Sequence, residues 1–272
     1  MDKKIKVYMG LPTMGDVVDS QVHMLREIEK IYQDKVELVY PDRCVRRIFH
    51  DFARNCIVEE FLSSDCDVLW FLDADITPHK SVLDLVVCHF DEWKVAGAVY
   101  PIFMTPPGEE TPEVLITAYK KTETGNYTMD KVPTMGTGFV DGLTTGCLFI
   151  KKEVFSELKK PYFEFTYENE TRLIKEGEDL GFIRKMGNLG YKFFTNYAFV
   201  CKHYKNVDLL DMNNYAMIYA KRAVNYHDSI VKDQVKSALA LMYEKGYDRA
   251  TKDLAQLTHE IQTPSKTLWL PK

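Results

Sequence analysis

The sequence of 272 residues has no long apolar run. Stretches such as Val68–Leu72 fall far short of the roughly 20 residues that cross a bilayer. Met1–Met9 offers only a short, alternating apolar stretch and no cleavage site, so a secretion signal is not expected. No C-x-x-C pair occurs among the cysteines (Cys44, Cys56, Cys66, Cys88, Cys147 and Cys201), which read as reduced, mostly buried thiols. A basic excess is missing too. Lys and Arg number 35 against 40 Asp and Glu, for a net charge of −5, which argues against a strongly basic nucleic-acid binder. Internal repeats and low-complexity segments are absent. What remains is 46% hydrophobic and 28% charged, the balance of a folded globular chain. The expectation is a cytoplasmic enzyme built as one large α/β domain or two small ones.

Strand and helix patterns alternate through the first hundred residues. Strands are expected at Ile5–Met9, Val36–Tyr40, Asp67–Leu72 and Val95–Pro101. Between them, Val18, Val22, Leu25, Ile28 and Tyr32 recur at helical spacing, as do Phe52, Cys56, Ile57 and Phe61. Ser81 is expected to cap a third helix carrying Val82, Leu85 and Val86. This order predicts a mostly parallel sheet flanked by helices, with ligands beyond the carboxyl ends of its strands. Thr13, Asp42, Asp73 and Tyr100 lie at such ends. Residues 104–138 read as a hairpin in a variable excursion or lid, turning at Gly125-Asn126. Further strands are expected at Leu143–Ile150, Tyr191–Phe194 and Ala198–Cys201, and a helix through Asp179–Met186. From Asp208 onward the pattern is helical, so residues 1–205 form the expected catalytic domain and 206–272 a C-terminal helical extension.

Four groups of residues have chemistry beyond packing. Asp73-Ala74-Asp75 ends the apolar run Val68–Leu72. Like charges so close need a counter-charge, and carboxylate oxygens suit Mg²⁺ or Mn²⁺. An ordinary strand-end turn also places Asp there. Glu178-Asp179 opens a helix, where the macrodipole favours acids and where one of them can serve as a general base. His203 follows a late strand and can complete a metal site with Asp75, although a lone histidine is more often structural. Arg54, within Ala53-Arg54-Asn55, is either a surface cation or a phosphate contact, with Arg46 and Arg47 as weaker candidates.

Together these segments resemble the GT-A fold glycosyltransferases, most closely the family-2-like, nucleotide-sugar-dependent group. The likeness covers residues 5–205. It rests on A-R-N, V-L-W-F-L-D-A-D, G-L-T-T-G-C-L-F-I, G-E-D-L-G-F-I-R-K and K-H-Y in that order. The resemblance implies a divalent metal, Mn²⁺ or Mg²⁺, held by Asp75, Asp73 and His203. It implies a nucleoside diphosphate sugar, UDP-linked as the first expectation, held by Pro12, Thr13, Asp42, Arg54 and Asp73. Thr145 and Gly146 would lie beside the transferred sugar, and Glu178 or Asp179 would deprotonate the acceptor hydroxyl. The first loop, Gly10–Gly15, departs from the commoner P-x-Y-N type, and the stereochemical outcome stays open. The acceptor is a glycan, a protein, a small molecule or a modified base in DNA. Two other readings share these residues: a sugar nucleotidyltransferase, disfavoured because Gly10–Gly15 lacks a basic residue, and a non-catalytic nucleotide-binding partner subunit.

Overall fold

The computed structural model describes residues 3–13, 17–41, 49–105, 113–130, 136–169, 173–204 and 232. The chain divides into two compact units, Met1–Lys205 and Asn206–Lys272. The helical pattern expected from Asp208 onward falls, except for Lys232, outside the described residues, as do Asp42, Arg46 and Arg47.

The first unit begins with β1 (Ile5–Gly10), α1 (Asp19–Tyr32), β2 (Val36–Val39), α2 (His50–Ser63), β3 (Val68–Leu72), β4 (Ile76–Thr77), α3 (Asp84–Val87), β5 (Val95–Gly97) and β6 (Pro101–Met104). It continues through β7 (Glu113–Lys121), β8 (Tyr127–Asp130), β9 (Thr137–Val140), β10 (Gly142–Leu143), β11 (Cys147–Lys151), α4 (Val154–Glu157), β12 (Thr166–Tyr167), β13 (Ile174–Glu176), α5 (Glu178–Asn188), β14 (Phe193–Asn196) and β15 (Lys202–His203).

Seven strands form the central sheet in the order β2-β1-β3-β11-β5-β14-β9. β1, β2, β3, β5 and β14 run one way, and β11 and β9 run against them. The sheet is therefore mostly parallel, and it is flanked by helices. Side chains alternate across it, as the pleat requires. Leu69, Phe71, Leu148, Ile150 and Phe193 join one core with Ile57 and Phe61 of α2 and Phe182 and Met186 of α5. Val68, Trp70, Leu72, Phe149 and Phe194 join the other core with Leu25 and Ile28 of α1 and Leu85 of α3. β3 is buried along its whole length, which explains why its sequence is a continuous apolar run.

Several expected elements are shorter or broken. The run Val95–Pro101 splits: the Ala98 amide still donates to the Cys147 carbonyl, and beyond it the chain leaves the sheet to form β6. The run Leu143–Ile150 splits as well, with Thr144–Gly146 turning between β10 and β11. The helix expected after Ser81 starts only at Asp84, with no side-chain cap. Ala198–Cys201 is not a strand, and Lys202–His203 pairs with β4 instead. The hairpin expected near Gly125 is present as β7 and β8, and β7 is also paired with β6 and β10. Gly125 takes a φ of 82°, which explains the glycine at that turn.

Candidate active site

The carboxyl end of β3 is the centre of the candidate site. The Asp73 amide donates to the Gly146 carbonyl at 3.0 Å, and the Ile76 amide returns to the Asp73 carbonyl at 3.0 Å. This closes a tight turn over Asp73–Ile76. β4 then pairs with β15, which brings His203 opposite Ile76. On the other side, α2 delivers Arg54 and the first turn of α5 delivers Glu178 and Asp179. The turn between β10 and β11 adds Thr145 and Gly146.

Arg54 is only 2% exposed, one of the largest fully buried side chains. Its guanidinium makes a two-pronged contact with Asp73, Nη1 to Oδ1 at 3.0 Å and Nη2 to Oδ2 at 3.2 Å. Its Nε lies 3.6 Å from Glu178 Oε1 and 3.8 Å from Asp179 Oδ1, too long for hydrogen bonds but close enough for ion pairing. Burial alone would push this guanidinium down; the three carboxylates more than reverse that and hold it charged. Arg54 is therefore not the surface cation that the sequence left open; it supplies an internal counter-charge for Asp73, a role for which a planar fork is well matched. The neighbouring Asn55 is structural: its amide group donates to the Asp51 and Phe163 carbonyls, and its oxygen accepts from the Tyr162 and Phe163 amides.

One guanidinium faces three carboxylates, so the cluster carries excess negative charge when all are ionised. Asp179 shows the effect. Burial, and then its acidic neighbours Glu178 and Asp73, raise it to about 6 against the opposing pull of Arg54. The Thr145 hydroxyl donates to Asp179 Oδ1 and holds the carboxylate from behind.

Asp75 points to a different partner. Its Oδ2 lies 3.3 Å from His203 Nε2, and its side chain is 39% exposed. His203 Nδ1 lies 2.9 Å from the Pro101 carbonyl. A carbonyl only accepts, so Nδ1 carries the proton, and a neutral ring turns the Nε2 lone pair toward the carboxylate. Two acceptors then face each other unless a proton or a metal cation lies between them. An imidazole anchored through its far nitrogen on a backbone carbonyl is the usual arrangement of a metal-ligating histidine. Asp75 and His203 are chemically suited to a divalent cation, which would need further ligands from elsewhere. Among the described residues no group of three His, Cys, Asp or Glu is placed to hold a metal without such help.

Pro12 and Thr13 follow β1, both buried beside the end of β3. Gly146 sits against Tyr100: a Cβ there would lie 2.3 Å from the phenol oxygen. The Tyr100 ring also meets His203 edge-on, with centroids 5.1 Å apart. Burial, with Asp73 and Asp179 nearby, pushes the Tyr100 phenol far up and keeps it protonated. The sequence marked Tyr100 only as a strand-end residue. It gave no role to Gln21, whose side chain reaches the Asp73–Ile76 turn. The clue was a polar residue at the i−4 position from Leu25, on the buried stripe of α1.

No family model matches the chain, and no curated protein matches it in sequence. Solved structures similar to it include A197 from STIV, at 20% identity and a TM-score of 0.48, over 74% of this chain and 86% of that one. They also include GalNAc-T7 with UDP, GalNAc and Mn²⁺, at 12% identity and a TM-score of 0.44. That match covers 75% of this chain and 44% of GalNAc-T7.

Proposed function

We propose that this chain is a metal-dependent glycosyltransferase of the GT-A type, acting from a nucleoside diphosphate sugar, UDP-linked as the first choice, on a hydroxyl acceptor. The observation that carries the reading is the split of the Asp73-Ala74-Asp75 turn. Asp73 is paired internally with Arg54, and Asp75 lies beside His203 at the carboxyl end of the sheet. Asp75 and His203 would hold Mn²⁺ or Mg²⁺, which supplies charge neutralisation to a leaving diphosphate. Pro12 and Thr13 would line the nucleoside, and Thr145 and Gly146 the transferred sugar.

Of the acid pair, Asp179 is assigned the base. A carboxylate raised to about 6 is matched to accepting a hydroxyl proton near neutral pH. Glu178 helps to raise it. Arg54 fixes Asp73 and keeps the cluster from collecting more protons. The catalytic unit is Met1–Lys205, with the β7–β8 hairpin as a candidate cover for the site and residues 206–272 as an extension.

Titration calorimetry with UDP, GDP, CDP and ADP, each with Mn²⁺ and with EDTA, tests the reading. Metal-dependent binding of one diphosphate, lost in Asp75→Ala, is the expected result. Binding of none of them removes the reading. Release of pyrophosphate from a nucleoside triphosphate would move it to a nucleotidyltransferase.

A further inference from the structure

We infer that Gln21 is a positioning residue that holds the Asp73–Ile76 turn in the form that binds metal and donor. The inference rests on the nucleotide-sugar reading and adds a residue outside all the motifs that suggested it.

Gln21 is fully buried on α1. Its Nε2 donates twice, to the Asp73 carbonyl at 2.7 Å and to the Ile76 carbonyl at 2.5 Å. Both partners only accept, so the amide nitrogen is the atom that faces them. These two carbonyls bracket Ala74 and Asp75. The remaining carbonyls of the turn are tied to other segments: Ala74 accepts from the Val18 amide at 3.2 Å, and Asp75 accepts from the Tyr204 amide at 2.9 Å. Ser20 and Thr77 hydroxyls meet at 2.7 Å alongside. The turn is thus held from α1 on one side and from the residues after β15 on the other. Gln21 is the side chain that holds both ends of it.

A primary amide is suited to this task. It carries two N–H donors on one planar group, so a single side chain can span two carbonyls. Methionine has similar length and flexibility and no donor. In Gln21→Met the Ile76 carbonyl loses the amide and the turn loses its fixed width, while the apolar neighbours Leu25 and Ile28 keep their contacts. The effect is expected in binding. Residues that orient metal ligands typically change metal affinity 10–100-fold when replaced.

The test uses the full chain. Calorimetry of UDP with Mn²⁺ should show about tenfold or greater weakening in Gln21→Met, with hydrogen exchange faster at Ala74–Thr77 and unchanged in α5. Equal binding by a folded Gln21→Met overturns the role of Gln21 alone. A wild-type chain that binds no nucleoside diphosphate overturns the reading of the site, and the role of Gln21 with it. The wild type gives a second readout that needs no variant. By linkage, if the two Gln21 bonds favour the loaded state, loading must strengthen them. The Gln21 side-chain amide protons should exchange more slowly with Mg²⁺ and UDP than without. Unchanged exchange overturns the inference even if the variant fails to fold.

Discussion

The two acids of the Asp73-Ala74-Asp75 turn are one residue apart, yet they sit in different electrostatic regions. Asp73 faces the α2 and α5 side, where a guanidinium only 2% exposed grips both its oxygens. Asp75 faces the β4 and β15 side, where its side chain is 39% exposed and its partner is a histidine. On the first side the counter-charge is built into the chain and permanent. On the second the histidine answers the acid only when it carries a proton or when a cation lies between the two. The difference shows how one short motif can serve two purposes. The acid gripped by the buried guanidinium joins the framework, and the acid beside His203 is the one proposed to meet a ligand.

Breaking the first side should have the largest effect. Arg54→Ala leaves Asp73, Glu178 and Asp179 without their shared cation, and removing one member of such a buried pair typically costs about 3–5 kcal/mol. Urea unfolding should show a loss of that size. Arg54→Lys keeps the charge but not the two-pronged contact, and should fall between. Full stability in Arg54→Ala would mean that the cluster has no need of its cation.

The next effect is catalytic. Asp179→Asn should keep metal-dependent nucleotide binding and lose about 10²–10⁴ in kcat, the range of a general base. In the wild type, kcat/KM should rise with pH and level off above about 6, because the base must be deprotonated. The stability effect has the opposite sign. The folded chain binds the Asp179 proton more tightly than the unfolded chain, so this residue's contribution falls as pH rises from 3.8 to about 6. Asp179→Asn should flatten that part of the stability profile. A profile unchanged in the variant would assign the proton elsewhere.

The sequence made the sheet and the candidate acids legible for identifiable reasons. β3 is buried on both sides, so its composition announces a central strand, and the acids that stop it stand out. α5 shows its helical period, and Glu178-Asp179 fall in its first turn. The partners of those acids were less visible. Arg54 belongs to α2, and nothing in linear spacing says whether a helical arginine faces a phosphate or three carboxylates. α1 gives a sharper case. The buried stripe is Gln21, Leu25, Ile28 and Tyr32, while Val22 is 39% exposed. Reading hydrophobicity alone put Val22 on the inner face and passed over Gln21. The amide is inside because its nitrogen reaches two turn carbonyls, a contact that appears only once β3 and α1 are brought together. The breaks at Ala98 and at Thr144–Gly146 were hidden likewise. Their residues are apolar or small enough to continue a strand, and the Ala98 amide keeps its cross-strand bond to Cys147 before the chain leaves the sheet.

A gentler change sharpens the comparison on the α5 side. Thr145 is fully buried and its hydroxyl donates to Asp179, which favours the ionised carboxylate. Thr145→Val keeps the shape and removes the donor. The inflection in kcat/KM should then move to higher pH, with a smaller loss in kcat than Asp179→Asn produces. A downward move would show that the hydroxyl accepts from a protonated Asp179 instead.

The smallest effect is expected on the conditional side. In Asp75→Asn the side chain keeps its size, and the change disturbs a partly exposed pair rather than a buried cluster. Exposed ion pairs are typically worth about 0–1 kcal/mol, so urea unfolding of the metal-free protein should move by no more than that. With Mn²⁺ and UDP present the two chains should separate. The wild type gains stability in proportion to the ligand it binds, and Asp75→Asn does not. The contrast with Arg54→Ala then becomes a measurement: one substitution lowers stability whether or not ligand is present, and the other lowers it only when ligand is added. If Asp75→Asn instead unfolds the metal-free chain as readily as Arg54→Ala does, both acids belong to the framework, and the division between a permanent and a conditional counter-charge fails.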